Sequence, residues 1–138
     1  MSANSIPTYP LQAAGITGSG QYQEVVSPFT GEAIARVEQA HAGAVEAGLA
    51  QAVNAAKKIM GPMPSHRRAE ILEGLSAQMD QRREELAQTI AQEGGKPLKD
   101  ARVEVGRAIN TVRLSAHAAT ELDGEQQAMG GTAGNETK

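Results

Sequence analysis

The fold of this chain is decided near its start, by the stretch Val25-Val26-Ser27-Pro28-Phe29-Thr30-Gly31-Glu32-Ala33-Ile34-Ala35. Strand-forming residues lie on both sides of Pro28-Phe29-Thr30-Gly31, where proline presets one turn dihedral and glycine permits a positive one. The pattern predicts a β-hairpin with strands at residues 24–27 and 33–37. Residues 1–22 carry no helical period, so we expect an irregular arm with at most a short strand.

Downstream of the hairpin, apolar residues recur every 3 or 4 positions, which is typical of one-sided helices. A first helix is predicted over about residues 42–60, and Gly61-Pro62-Met63-Pro64 ends it. Ser65 is the predicted N-cap of a second helix, which bends or briefly breaks near Gln81. The stripes that predict these helices are Val45, Leu49, Ala52, Val53, Ala56 and Ile59, and then Ala69, Leu72, Leu75, Met79, Leu86 and Ile90.

A third helix is predicted over residues 97–122. Gly94-Gly95 favours a left-handed end to the preceding helix, and Pro97 stands where proline starts a helix well. The apolar seam of the third helix is mostly small, which favours close packing on more than one side. Its positions are Ala101, Val105, Ala108, Val112, Ser115, Ala119 and Leu122, with Val103, Ile109 and Ala116 beside them.

The composition leaves little material for a hydrophobic core. Of 138 residues 40% are hydrophobic, but much of that share is alanine and only three residues are aromatic. Because alanine buries little area, Leu, Ile, Val and Met must supply most of the hydrophobic stabilisation. We therefore expect helices that need further surfaces to pack against.

Charge and residue usage exclude several classes of function. A formal net charge of -3 and the lack of a basic stretch argue against nucleic acid as a partner. The chain has no cysteine, and therefore no disulfide, no Cys-ligated zinc and no thiol nucleophile. No signal-peptide pattern and no apolar run of membrane-spanning length occur, so we expect a cytoplasmic protein without a membrane partner.

The residues that could carry chemistry form no catalytic, cofactor or metal pattern. His41, His66 and His117 are widely separated and lack metal-ligand spacing. Gly94-Gly95-Lys96-Pro97 lacks the longer glycine frame and the following Ser or Thr of a phosphate loop. Three further glycines have the wrong spacing for a dinucleotide fingerprint, namely Gly15, Gly18 and Gly20.

Charged residues on the second helix predict a solvated face linked by salt bridges. Arg67-Arg68 and Arg82-Arg83 are interspersed with the glutamates Glu70, Glu73, Glu84 and Glu85. Three other carboxylates show no apolar pocket that would tune them for acid and base chemistry, so solvation and helix-end electrostatics are their expected roles. These are Glu93, Asp100 and Glu104. The residues alone thus predict a scaffold with no catalytic, cofactor-binding or metal-binding residue.

The hairpin stretch resembles the V-x-N/S-P-x-T-G-E-x-I-A signature near the start of aldehyde dehydrogenases. Further parts of that family's pattern follow in the same order, and the resemblance extends from Val25 to the end of the chain. The parts are an Ala-Ala helix end within residues 53–56, Arg68 and Leu72 in R-x-x-x-L spacing, Arg83-Glu84-Glu85-Leu86-Ala87, Gly95-Lys96-Pro97, and Ala101-Arg102-x-Glu104-Val105.

The resemblance implies an α/β parent enzyme with a Rossmann-type NAD(P)-binding domain, a catalytic domain with a cysteine nucleophile and a strand arm for oligomerisation. This mostly α-helical chain would be its N-terminal portion. It would comprise an arm (1–22), the hairpin and helices of the cofactor-binding domain (23–122) and the beginning of the oligomerisation strands (123–138). In the family the cofactor segment, the glutamate base and the cysteine lie downstream of the third helix, so none is carried onto this sequence.

The complete enzyme would oxidise an aldehyde to a carboxylic acid with NAD or NADP, and the chain alone would bind no cofactor and be inert. Its partners would be the rest of the dehydrogenase chain and, in the parent, further copies in a homo-oligomer. Residues 117–125 most resemble the branch that acts on small oxygenated aldehydes such as lactaldehyde, glyceraldehyde-3-phosphate or phosphonoacetaldehyde. A different class stays open, namely a non-catalytic helical module for interaction or oligomerisation.

Overall fold

The computed structural model describes residues 6–122 and residue 124. Three short strands precede a set of helices, so the described part of the chain is mostly helical with one small sheet, as predicted. The predicted segment 123–138 lies outside the described residues except for Gly124. The elements are β1 (Thr8–Tyr9), β2 (Tyr22–Val26), β3 (Ala33–Glu38), α1 (Ala42–Ala55), a π-helical turn (Ala56–Met60), α2 (Ser65–Gln81), α3 (Arg83–Gly94) and α4 (Leu98–Thr120).

The hairpin predicted from the quoted stretch is confirmed. Strands β2 and β3 pair antiparallel, and β1 from the arm adds in parallel on the other side of β3, giving the order β1-β3-β2. Gly31 takes the positive φ of 73° that the turn requires, and its N–H donates to the Ser27 carbonyl at 2.8 Å. The buried Ser27 hydroxyl oxygen accepts from the N–H groups of Phe29 and Thr30 at 3.3 and 3.4 Å. Ser27 therefore stabilises the turn through both its carbonyl and its hydroxyl oxygen.

The first predicted helix is confirmed, but its last turn is π-helical. His41 is the N-cap, and its Nδ1 accepts from the Ala44 N–H at 3.1 Å. In the π-helical turn the Gly61 N–H donates to the Ala56 carbonyl at 2.8 Å, a spacing of five residues. The Arg68 guanidinium donates to the Met60 carbonyl at 2.8 Å and thereby satisfies one carbonyl that the helix end leaves free.

The second predicted helix is two helices, so the described residues form four α-helices rather than the three predicted. The expected break near Gln81 is confirmed, because Arg82 leaves helical geometry with φ −101° and ψ 16° between α2 and α3. The prediction that Ser65 is the N-cap is wrong. Pro64 takes the extended cap conformation without a side-chain hydrogen bond, and Ser65 is the first helical residue. The fixed φ of proline, −60° here, is compatible with this extended geometry. Likewise Pro97 precedes α4, which begins at Leu98.

The core lies where α4 packs against α2 and α3. Its centre consists of Ala87, Ala101, Val105 and Ile109, and partly buried apolar side chains surround it. Within the predicted seam of α4, Val105 and the flanking Ile109 are 2% exposed, whereas Ser115 is exposed. Small side chains thus allow close approach of the helices, while Val105 and Ile109 are the largest side chains at the centre of the core.

The apolar stripe of α1 faces away from the rest of the described chain. Val45, Leu49 and Val53 are 50%, 58% and 54% exposed, and among the described elements only the π-helical turn contacts α1 extensively. The turn residue Phe29 is 85% exposed. None of the described helices has the length and apolar character needed to cross a bilayer. The stripe predicted a helix correctly, but the described residues do not bury it.

Candidate functional site

The hairpin turn meets the junction between α3 and α4 at Gly95. This glycine ends α3 in the left-handed region with φ 62°, as predicted from Gly94-Gly95. A Cβ atom at Gly95 would lie 2.8 Å from Cγ of Pro28, closer than side chains pack. Glycine is therefore required here both by backbone geometry and by the close approach of the turn.

A groove of about 480 Å³ opens beside this contact. Most of its surface is apolar, and Lys96 is the charged side chain in its lining. The Nζ atom of Lys96 lies 2.6 Å from Oε2 of Glu104, so its charge is already paired. The groove suits an apolar side chain better than a reaction centre. It is lined by Ser27, Phe29, Thr30, Ala91, Gln92, Gly95, Lys96, Pro97 and Leu98.

The three histidines lie in separate parts of the fold. His41 caps α1 and His66 is exposed in the first turn of α2. His117 borders a second groove together with Glu73, Asp80 and Arg113. Within residues 6–122, no group of three or more His, Cys, Asp or Glu side chains has an arrangement that could hold a metal ion.

The predicted salt-bridged face is confirmed for three of the four arginines. Arg67 pairs with Glu70, Arg82 with Glu85 at 2.5 Å and Arg83 with Asp80 at 2.6 Å. These pairs are exposed, so each contributes little to stability. The structure does not bring them together into an anion site.

Arg68 is the exception, because the prediction that it belongs to a solvated, paired face is wrong. It is half-buried and caps carbonyls at the end of the first helix, and its Nε atom is buried without a hydrogen-bond partner among the described residues. Sequence spacing missed this role, since Met60 and Arg68 come together only when the chain turns at Gly61-Pro62.

A further ion pair joins α3 to α4. Arg102 donates to both carboxylate oxygens of Glu84 at 2.9 and 2.7 Å, and this hydrogen bonding is the main cause that lowers the pKa of Glu84. Of the three carboxylates considered for acid and base chemistry, Glu104 pairs with Lys96 and Asp100 lies in the first turn of α4. Asp100 therefore fits the predicted role in helix-end electrostatics. Glu104 lies beyond the first turn of α4, and Glu93 lies in the last turn of α3, where the helix dipole does not favour a negative charge.

Comparison with known proteins identifies the class to which this fold belongs. The family model described as the aldehyde dehydrogenase family matches residues 16–137. Malonate-semialdehyde dehydrogenase 1 of Geobacillus kaustophilus is 40% identical over 105 residues, which are 74% of this chain and 21% of that protein.

Two solved structures show the same arrangement of elements. Aldehyde dehydrogenase 21 of Physcomitrella patens, in complex with the reaction product succinate, has a TM-score of 0.84 at 31% identity and covers 96% of this chain and 28% of that one. Glyceraldehyde-3-phosphate dehydrogenase of Methanocaldococcus jannaschii, complexed with NADP, has a TM-score of 0.63 at 31% identity. The match covers 71% of this chain and 22% of that one.

The chain belongs to the aldehyde dehydrogenase family, and it corresponds to an N-terminal portion of its members. It spans about a fifth of the length of the curated relatives it matches. The family is an α/β class of oxidoreductases, and the helices and small sheet described above are the part of that fold found here.

Proposed function

We propose that this chain is the N-terminal scaffold of an NAD- or NADP-dependent enzyme that oxidises an aldehyde to a carboxylic acid. The observation that carries the proposal is the family match over residues 16–137. The close packing of the hairpin turn on the junction at Gly95 supports it, because that contact joins two motifs of the family resemblance. The chain would supply folded support and no reacting group.

A small oxygenated aldehyde is the proposed substrate class. The resemblance of residues 117–125 points to lactaldehyde, glyceraldehyde-3-phosphate or phosphonoacetaldehyde. Support comes from the similarity to a malonate-semialdehyde dehydrogenase and to a glyceraldehyde-3-phosphate dehydrogenase, both of which are named for small oxygenated aldehydes. NADP in the second of these supports a nicotinamide cofactor for the complete enzyme.

The proposed division of the chain follows from the same assignment. Residues 1–22 would be an arm, residues 23–122 part of the cofactor-binding domain and residues 123–138 the beginning of the oligomerisation strands. The rest of the dehydrogenase chain would cover the exposed stripe of α1 and the groove beside Phe29, because both are apolar and open. We further propose a cytoplasmic homo-oligomer.

An activity assay tests whether the chain is only a scaffold. Because it has no cysteine, no thiolate can attack the aldehyde carbon. We expect the purified chain to form no NADH or NADPH from malonate semialdehyde, lactaldehyde or glyceraldehyde-3-phosphate. The Geobacillus kaustophilus enzyme under the same conditions is the positive control. A rate above that of a protein-free sample would contradict the proposal.

The exposed stripe of α1 also favours the second candidate, a non-catalytic oligomerisation module. If the chain is instead the scaffold of a dehydrogenase, the stripe is uncovered in the isolated chain, which should then associate through it into a broad range of sizes. The double variant Val45→Glu and Leu49→Glu should reduce that association several-fold in sedimentation velocity. The matched control is Ala50→Glu and Asn54→Glu, which adds the same charges at the same spacing on exposed positions.

The two candidates differ in the kind of assembly that the unmodified chain forms. One sharp dimer or tetramer, lost in the stripe variant and kept in the control, would favour the module. A heterogeneous distribution that the stripe variant collapses to monomer would favour the scaffold. A monomeric unmodified chain at high concentration would contradict the expected role of the stripe in both.

A further inference from the structure

The carboxylate of Glu38, at the end of β3, binds two distant backbone groups of the arm. Its Oε2 atom accepts from the Leu11 N–H at 3.0 Å, and its Oε1 atom accepts from the Gly20 N–H at 2.9 Å. These donors are 27 and 18 residues away along the chain. One side chain thus closes both ends of the loop formed by residues 11–20, which we call the arm loop.

The arm loop lies tightly around this carboxylate. A Cβ atom at Gly18 would lie 2.3 to 2.6 Å from the carboxylate atoms of Glu38, so a larger residue there would push the carboxylate out of this position. Next to it, the Ser19 N–H donates to the Gln39 carbonyl at 2.9 Å, and the Gln39 N–H donates to the Gln21 carbonyl at 2.8 Å. The loop is therefore built onto the end of β3.

The other side of the arm loop contacts α1. Nε2 of Gln51 donates to the Ala14 carbonyl at 3.2 Å, and a Cβ atom at Gly48 would lie 3.7 Å from Cδ1 of Ile16. Gly48 and Gln51 are three residues apart and so share one helix face with the buried Ala44. Since α1 packs only slightly against the other described strands and helices, the arm loop is a main tether of this helix.

We propose that Glu38 is a latch that closes the arm loop and, through it, fixes the position of helix α1. The physical basis is that an ionised carboxylate accepts strongly from two N–H groups at once. An amide presents a donor to one of them, and a protonated carboxyl offers that N–H only its weaker hydroxyl oxygen. The latch is therefore closed with a charged Glu38 and open without the charge. It makes the position of α1 sensitive to acid.

The charge of Glu38 is stabilised by backbone donors rather than by a charged side chain. Tyr22 lies opposite on β2, and the nearby Arg36 is 2.8 Å from Glu24 in a pair of its own. No described cation lies within ion-pair distance of Glu38. The N–H of Leu11 first and that of Gly20 second lower the pKa of Glu38, and partial burial opposes them.

The sign of the pH effect follows from the direction of this shift. A carboxylate whose pKa is lower in the folded state adds stability above its unfolded pKa. That contribution is lost as the pH falls through the folded value. Acid should thus loosen the arm loop and, with it, helix α1.

Hydrogen exchange on the full chain tests the latch with Glu38→Gln. We expect the Leu11 or Gly20 amide, together with amides of α1, to exchange about tenfold faster, the size expected for losing one hydrogen bond to a charged group. Glu32→Gln is the matched control. It removes the same charge from an exposed hairpin residue whose side chain has no hydrogen bond among the described residues.

A second variant, Gln51→Ala, separates the two steps of the proposal. It should speed exchange in α1 while leaving the Leu11 and Gly20 amides protected, because it breaks only the contact between loop and helix. Unchanged exchange in Glu38→Gln would overturn the latch. Faster exchange in the arm loop with an unchanged α1 would overturn its control of the helix. If Glu32→Gln speeds exchange equally, the effect comes from the change in net charge, and the latch is likewise overturned.

Discussion

Replacing Ile109 by alanine is expected to lower the free energy of unfolding by about 2–5 kcal/mol, because it leaves a cavity among well-packed neighbours. Ile109 is 2% exposed and packs with Ala87, Ala101 and Val105 at the centre of the core. The side chains of the neighbouring alanines are too short to fill the cavity. Urea unfolding followed by circular dichroism measures the loss as a lower midpoint at an unchanged slope.

Leu114→Ala is the matched control for this cavity. Leu114 lies on the same helix and is 58% exposed. Its side chain has the same number of carbon atoms as that of Ile109, so the substitution removes the same number of atoms. Its substitution should change the free energy of unfolding by no more than about 0.5 kcal/mol. Equal losses for the two variants would mean that α4 does not pack on α2 and α3 as described.

Replacing Gly95 by alanine should destabilise the fold by about 2–5 kcal/mol, through two separate causes. The left-handed backbone costs an L-residue about 1–2 kcal/mol. The new methyl group would also meet Cγ of Pro28 at 2.8 Å, and relieving that clash costs about 1–3 kcal/mol more. The hairpin should therefore loosen from the helices, which hydrogen exchange in β2 and β3 would report together with the lower urea midpoint.

Gly31→Ala isolates the first cause. Gly31 has a positive φ of 73°, yet a Cβ atom there would meet nothing within 4 Å. Its substitution should cost only the backbone part, about 1–2 kcal/mol. If Gly95→Ala costs no more than Gly31→Ala, the close contact between the turn and the junction is not present in solution.

Patterns that depend on near neighbours in the chain predicted the fold well. The hairpin strands, the left-handed Gly95 and the break near Gln81 each follow from local backbone preferences, and all three are confirmed. The sequence predicted less well which face of each helix is buried. Leu75 was assigned to the buried stripe of α2 but is 45% exposed, and the adjacent Ser76 is buried instead.

Ser76 illustrates why a hydrophobic pattern misses part of a core. Its hydroxyl donates to the Ile109 carbonyl at 3.4 Å, so a polar side chain is satisfied where α2 crosses α4. A small residue also lets the two helices approach closely. Nothing in the sequence marks this serine, because its partner is 33 residues away.

Contacts made across long sequence separations account for the other missed features. The cap formed by Arg68 and the two backbone bonds of Glu38 require the folded path of the chain, whereas the cap formed by His41 joins residues only three apart. The predicted strand ended at residue 37, and the sequence pattern assigned no role to Glu38. A signal was present in Gly18 and Gly20, since clustered glycines often mark a close approach of backbone to another group.

The proposed role as a scaffold agrees with where the charged and apolar groups lie. Six ion pairs among the described residues lie on the surface, while large apolar side chains of α1 and the hairpin turn are open. An enzyme site would need the reverse, namely ionisable groups gathered in a cleft with perturbed pKa values. These surfaces therefore suit packing against further protein.

The most direct measurement is to read the coding sequence beyond the codon for Lys138. Our account predicts an open frame that continues into a cofactor-binding segment and then a cysteine motif, as the resemblance to aldehyde dehydrogenases implies. A stop codon directly after Lys138 would contradict the proposal that this chain is the N-terminal scaffold of a catalytic polypeptide.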